Sequence, residues 1–258
     1  MNSTEPSSYS VPPRIPAAHF APPRRQPLGE NPEEREPIAS MVGAIDAILR
    51  QPRRVMYQLR QPGAGRLILA MLFVATVCSL VYGLVVGSFS MHAQLWAAPV
   101  KIAGGLVVSA LICLPSLYIF TCLSGSQARL AEMGGLLTGL LMLMTILLVG
   151  FAPVAWLFSQ STESVAWMGV LHLLFWGIAT FFGLRFLEAG FAHSQARSSA
   201  GLNTWIVIFV LVAVQMTTAL RPIVGIADTF LPGQRKFFVS YWSECLNQTP
   251  PASQKSSR

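Results

Sequence analysis

Five long apolar stretches fill most of the chain after residue 66: Leu67–Val86, Pro99–Leu123, Met133–Leu157, Val165–Leu187 and Leu202–Leu220. Each is close to the roughly 20 residues that a helix rising about 1.5 Å per residue needs to cross a bilayer core. The chain therefore reads as an all-α, polytopic transmembrane bundle of five helices. Charge supports this. Only 11% of residues are Asp, Glu, Lys or Arg, against about 25% in soluble domains. Between Leu67 and Leu220 such residues are Lys101, Arg129, Glu132, Glu163, Arg185, Glu188 and Arg197, all at or beyond the ends of the stretches. A soluble core of this size would need far more polar surface, whereas lipid accepts an apolar exterior.

Four regions follow. Residues 1–37 hold nine of the eighteen prolines and otherwise mostly Ser, Glu, Arg and Ala. So little apolar surface does not offset the entropy of ordering, and the segment reads as a disordered cytosolic arm. It has no apolar core of a signal peptide. In residues 38–60, Ile38, Met41, Val42, Ile45, Ile48 and Leu49 fall on one helical face, Pro52 breaks or restarts the helix, and Arg50, Arg53, Arg54 and Arg60 follow. That pattern is an amphipathic interfacial helix, which either anchors to headgroups through its arginines or packs its apolar face on the bundle. Residues 61–225 make the bundle, and 226–258 a short tail.

Within the bundle, Gly83–Gly87 and Gly135–Gly139 are small-xxx-small pairs that permit close helix approach. Pro115 lies inside the second stretch and is expected to kink it. Lys101, near the start of that stretch, is expected to reach up to the headgroups. His172 is the one ionisable side chain near a span interior, where such residues are functional candidates by default. A hydrogen bond to Ser116, Thr145 or Thr180 of a neighbouring helix would satisfy it structurally. At the end of the fifth stretch, Arg221 suits the negative end of a helix, Pro222 stops it and Gly225 permits a turn.

Chemical motifs are scarce. There is no HExxH, no GxSxG and no Asp within a span, so zinc-protease, serine-hydrolase and aspartyl mechanisms lack their residues. Glu33-Glu34 lies in the Pro-rich arm, where composition offers nothing to hold it. No Cys pair has metal-ligand spacing. The expectation is a non-enzymatic protein with no catalytic residues, cofactor or metal. The net charge of +7 reads as membrane orientation and attraction to anionic headgroups, not nucleic-acid binding. Arg50, Arg53, Arg54, Arg60, Arg66, Arg129, Arg185 and Arg197 would share one face, against Lys101, Arg221, Arg235 and Lys236 on the other. That places the N-terminus in the cytoplasm.

The runs Gln94-Leu95-Trp96-Ala97-Ala98-Pro99-Val100-Lys101, Leu114-Pro115-Ser116-Leu117-Tyr118 and Ala219-Leu220-Arg221-Pro222-Ile223-Val224-Gly225 resemble an uncharacterised bacterial inner-membrane family, over roughly residues 50–242. That resemblance implies the topology and the inner (plasma) membrane, and no activity. The overall plan also resembles the Yip-type five-span family, whose eukaryotic members act in membrane traffic through small GTPases. That family's Asp-Leu-Tyr-Gly-Pro motif does not occur in this sequence. The function expected is a membrane scaffold or partner-binding protein. It would contact the bilayer, a protein partner through the N-terminal arm, and a second copy of itself. The alternative is a small transporter or channel subunit, marked by a polar cavity near His172 and Gln215.

Overall fold

A computed structural model describes residues 26–88, 94–161, 165–194, 198 and 200–219. Three short helices precede the apolar ones: α1 (Pro32–Arg35), α2 (Met41–Arg50) and α3 (Pro52–Leu59). Five longer ones follow: α4 (Gly65–Ser88), α5 (Gln94–Leu123), α6 (Leu130–Ser161), α7 (Val165–Ala192) and α8 (Ala200–Ala219). Four of these, α4 to α7, are long and apolar enough to cross a membrane. The fifth stretch falls on α8, and Ala200–Met216 is a shorter apolar helix among the described residues.

α6 is the central helix, packed on α4 and α7. α4 packs on α5, α5 packs on α8, and α7 and α8 scarcely touch. The helices thus form an arc. Its outer surface is the reverse of a soluble protein's: Leu69, Phe73, Val77, Val81 and Leu84 stand exposed along α4, and Leu111, Ile112, Ile119 and Leu123 along α5. Lipid accommodates such stripes. Trp96, Trp156 and Trp167 are exposed at the end of the bundle where α5 and α7 begin and α6 finishes, as expected of an interfacial aromatic belt. From Trp167 to Arg185 along α7 is about 27 Å, close to the thickness of a hydrocarbon core.

Glycine sets the approach distances. Gly83 lies so close to Pro99 of α5 that a Cβ there would run into the Pro99 backbone. Gly139 sits against Phe186 of α7, and Gly135 against Leu59 and Ile68. All four glycines of the two small-xxx-small pairs are buried. Two more, which the sequence did not single out, do the same on α7: Gly183 meets Leu140 and Gly190 meets Leu136.

Both prolines of α5 are accommodated within a continuous helix. Pro115 is exposed. Nearby, the Cys113 carbonyl accepts from Ser116 Oγ at 2.8 Å and from the fully buried Trp205 Nε1 of α8 at 3.0 Å. A buried indole N–H needs an acceptor, and a backbone carbonyl of α5 supplies it. Further along, Gly201 of α8 rests on Ser124 and Phe120.

The interfacial segment is two helices, not one, broken at Gln51-Pro52. One face packs on the bundle: Ala44, Ala47 and Ile48 of α2 and Val55, Met56 and Leu59 of α3 are buried, while Met41, Val42 and Leu49 stand exposed. Packing thus accounts for part of the apolar face named from sequence. Arg53 and Arg54 are turned towards protein, as described next.

Residues 1–25 lie outside the described residues, as do 220–258. Residues 26–37, assigned by composition to a disordered arm, form a strap folded against α3. Glu34 is buried at 5% exposure. It accepts from Arg53 Nε at 2.6 Å and from the Gly29 N–H at 2.5 Å. Arg35 Nε donates to the Gly29 carbonyl. Arg54 Nε donates to the Glu36 carbonyl. Gln58 accepts from the Ile38 N–H and donates to the Glu36 carbonyl. Gly29 adopts φ of 89° beneath the Tyr57 ring, where a Cβ would collide. Directed polar bonds, with Leu28 and Ile38 packed against the core, order this strap. Compositional reasoning overlooks that route.

Candidate functional site

The strongest chemical feature inside the bundle is a buried polar layer near the tryptophan belt. α4 reaches this level near its end, α5 and α7 near their beginnings. The Tyr82 hydroxyl and His172 Nδ1 share a 2.7 Å hydrogen bond, with the two rings edge to face at 5.7 Å. His172 is 7% exposed and Tyr82 is fully buried. The partner of His172 is therefore α4, not the serine or threonines proposed from sequence. Its other ring nitrogen, Nε2, is buried without a hydrogen-bond partner among the described residues. A neutral imidazole carries one donor and one acceptor nitrogen, so either tautomer leaves one polar atom at Nε2 unsatisfied.

Lys101 occupies the same depth on α5. It and His172 each lie about 7.5 Å, by helical rise, below the exposed tryptophan of their own helix, Trp96 and Trp167. Lys101 does not reach the headgroups as its position near the helix start led one to expect. It is 2% exposed. The physical reason is its face. Ala98, Pro99, Ile102, Ala103 and Leu106 around it are also buried, because the Gly83–Pro99 approach turns this side of α5 inward. At the matching level of α6, Ala152 and Ala155 are buried and leave room for the bulkier groups. A tyrosine, a histidine and a lysine withdrawn from lipid and water could bind an anion, hold a water or pass a proton.

The other expected site residues are not brought to this layer. Pro115 lies further along α5 and faces outward. Gln215 of α8 is exposed, so it does not line a cavity with His172. Arg221, Pro222 and Gly225 lie outside the described residues. The Tyr82 contribution was missed. Its one legible signal was a hydroxyl-bearing aromatic beside Gly83 in an otherwise apolar stretch.

No group of three or more His, Cys, Asp or Glu side chains among the described residues could hold a metal ion. The cavity between α4, α5 and α6, lined by Thr76, Ser79 and Thr145 among others, is about 10 Å³, at the lower limit for one water. A larger cleft of about 410 Å³ lies at the other end of the bundle. Comparison with known proteins finds no matching family model, no similar curated protein and no similar solved structure. The chain is a multi-span helical membrane protein in contact with the bilayer.

Proposed function

We propose that this chain is a non-enzymatic scaffold that presents a partner-binding platform on the cytoplasmic face of a bacterial inner membrane. In this reading α8 is the fifth span, and the N-terminus is cytoplasmic. The observation that carries the proposal is the platform itself. The strap and α1 to α3 are fastened to one another and to the bundle, yet Met41, Val42 and Leu49 stand exposed on α2, Val42 at 76%. An ordered apolar face beside polar surface is what a protein partner needs. The glycine-closed interior agrees with a structural role. Glu34, half of the paired-glutamate sequence, is engaged by Arg53 and Gly29, which assigns it a structural task.

A photo-crosslinking amino acid at Val42 should trap discrete protein adducts in living cells, while one at Phe73 on the lipid face of α4 should not. Lipid-sized adducts alone at Val42 would place that face in the bilayer and overturn the platform. The alternative, a small transporter or channel subunit, draws on the buried Tyr82–His172 pair, the unsatisfied Nε2 and Lys101 at the same depth.

Threading is tested separately. With five spans, Cys245 is outside the inner membrane and should react with an impermeant thiol reagent once the outer barrier is opened. Labelling only after the inner membrane is lysed would mean that α8 does not cross.

A further inference from the structure

The cleft of about 410 Å³ opens at the platform end of the bundle, where three pieces of chain meet: the turn from α3 into α4, the start of α6 and the end of α7. Its polar lining is Arg60, Gln61, Gln127, Arg129, Glu132, His193 and Ser194. Arg60 donates through Nε to Glu132 at 2.7 Å, so these two charges answer each other. Among the described residues Arg129 makes no ion pair and stands exposed at the rim. The cleft is therefore left with uncompensated positive charge.

Helix ends do not decide the sign, because α4 and α6 begin at the cleft while α3 and α7 end there, so positive and negative ends offset. Nearby carboxylates are few. The first turn of α4 carries no acidic residue, and that of α6 carries only Glu132, already held by Arg60. The two glutamines add amide donors. Guanidinium groups and amide N–H donors around a cavity of this size suit an oxyanion such as a phosphate group rather than an apolar ligand.

The position of the cleft favours one source of that phosphate. Arg129 lies about 40 Å along α6 from Trp156 of the tryptophan belt. A bilayer with both headgroup layers measures about 40–45 Å. The cleft thus sits at the level of the opposite headgroups. Leu69 and Leu130 are exposed close by and offer acyl chains an apolar wall.

We propose that this cleft binds a phosphate-bearing anion, supplied by the headgroup of an anionic phospholipid, with Arg129 as its cationic contact and the remaining guanidinium N–H groups of Arg60 as further donors. The test uses the full chain in a neutral detergent, with phosphatidylglycerol, phosphatidylcholine or inorganic phosphate added. Binding is read by native mass spectrometry and by the shift in melting temperature. Phosphatidylglycerol should bind and stabilise, and phosphatidylcholine should not. Arg129→Gln should weaken binding roughly fivefold, the loss expected for one basic contact near an anionic headgroup. Ala131→Trp, placed on the exposed lining, should block it without changing any charge. Arg50→Gln, on α2 away from the cleft, should leave it unchanged.

A shift with phosphatidylglycerol and none with inorganic phosphate assigns the site to the headgroup. The reverse, abolished by Ala131→Trp, assigns it to the free anion and removes the lipid from the proposal. Equal losses in Arg50→Gln and Arg129→Gln would show diffuse surface attraction and overturn the site. So would phosphatidylglycerol binding that survives both Arg129→Gln and Ala131→Trp.

Discussion

Gly83→Leu is expected to destabilise the bundle more than any other single substitution on its surface or interior glycines. A Cβ at this position would overlap the backbone of Pro99, and a backbone cannot rotate away as the end of a side chain can. Gly139 offers the contrast, since its neighbour is the Phe186 ring, which can turn. At Gly83 the two helices must separate, and α5 is also the helix that carries α8. Overpacking of a well-filled interior costs about 1–3 kcal/mol and occasionally more. The upper end applies here, a fall on the order of 10 °C in melting temperature by the scaling for soluble domains of this size. Gly150→Leu and Gly177→Leu are the controls, because both glycines are exposed and nothing lies within 4 Å of a Cβ at either. Thermal unfolding in detergent should rank Gly83→Leu far below both. Equal melting temperatures would show that α4 and α5 do not approach as described.

The same close approach shows what sequence could and could not deliver. The four long helices and the small-xxx-small glycines were legible, because run length and residue size act locally. The face that each helix turns inward was not. A helix apolar all round has no periodic stripe to read. Lys101 looked like a residue free to reach the headgroups, and the Gly83–Pro99 contact, made across a loop, turned it inward instead. His172 was legible as an anomaly in an apolar run, but its partner Tyr82 stands 90 positions earlier and no local rule links them. α8 was legible from hydropathy, but its docking depends on Trp205 finding a carbonyl of α5. The cleft was invisible for another reason: its lining comes from three separate pieces of chain at helix ends, each unremarkable alone.

The strap offers the second large effect, and its sign follows from Glu34. Burial alone would raise this carboxyl's pKa. The Arg53 hydrogen bond, the Gly29 N–H, the Arg53 charge and the nearby His193 charge outweigh it and hold the pKa below the ordinary 4.5. A carboxylate depressed in the folded state adds stability above its unfolded pKa and loses it as pH falls through the folded value. The strap should therefore stay closed at neutral pH and open only below the usual glutamate range. Arg53→Ala removes the partner while leaving Glu34 enclosed. Arg53 is 35% exposed, so solvent screens part of the loss, and the cost is on the order of 2 kcal/mol. Opening of residues 26–38 should become roughly thirtyfold more frequent. Glu34→Gln should fall between, since an amide oxygen still accepts from Gly29. Hydrogen exchange measured by peptide reads this directly, with α4 and α6 as internal references that should not change. If residues 26–38 keep their protection in Arg53→Ala, the strap is held by its packing under Tyr57 and not by the Glu34–Arg53 pair. Protection that stays constant as the pH is lowered well below 4.5 would lead to the same conclusion by an independent route.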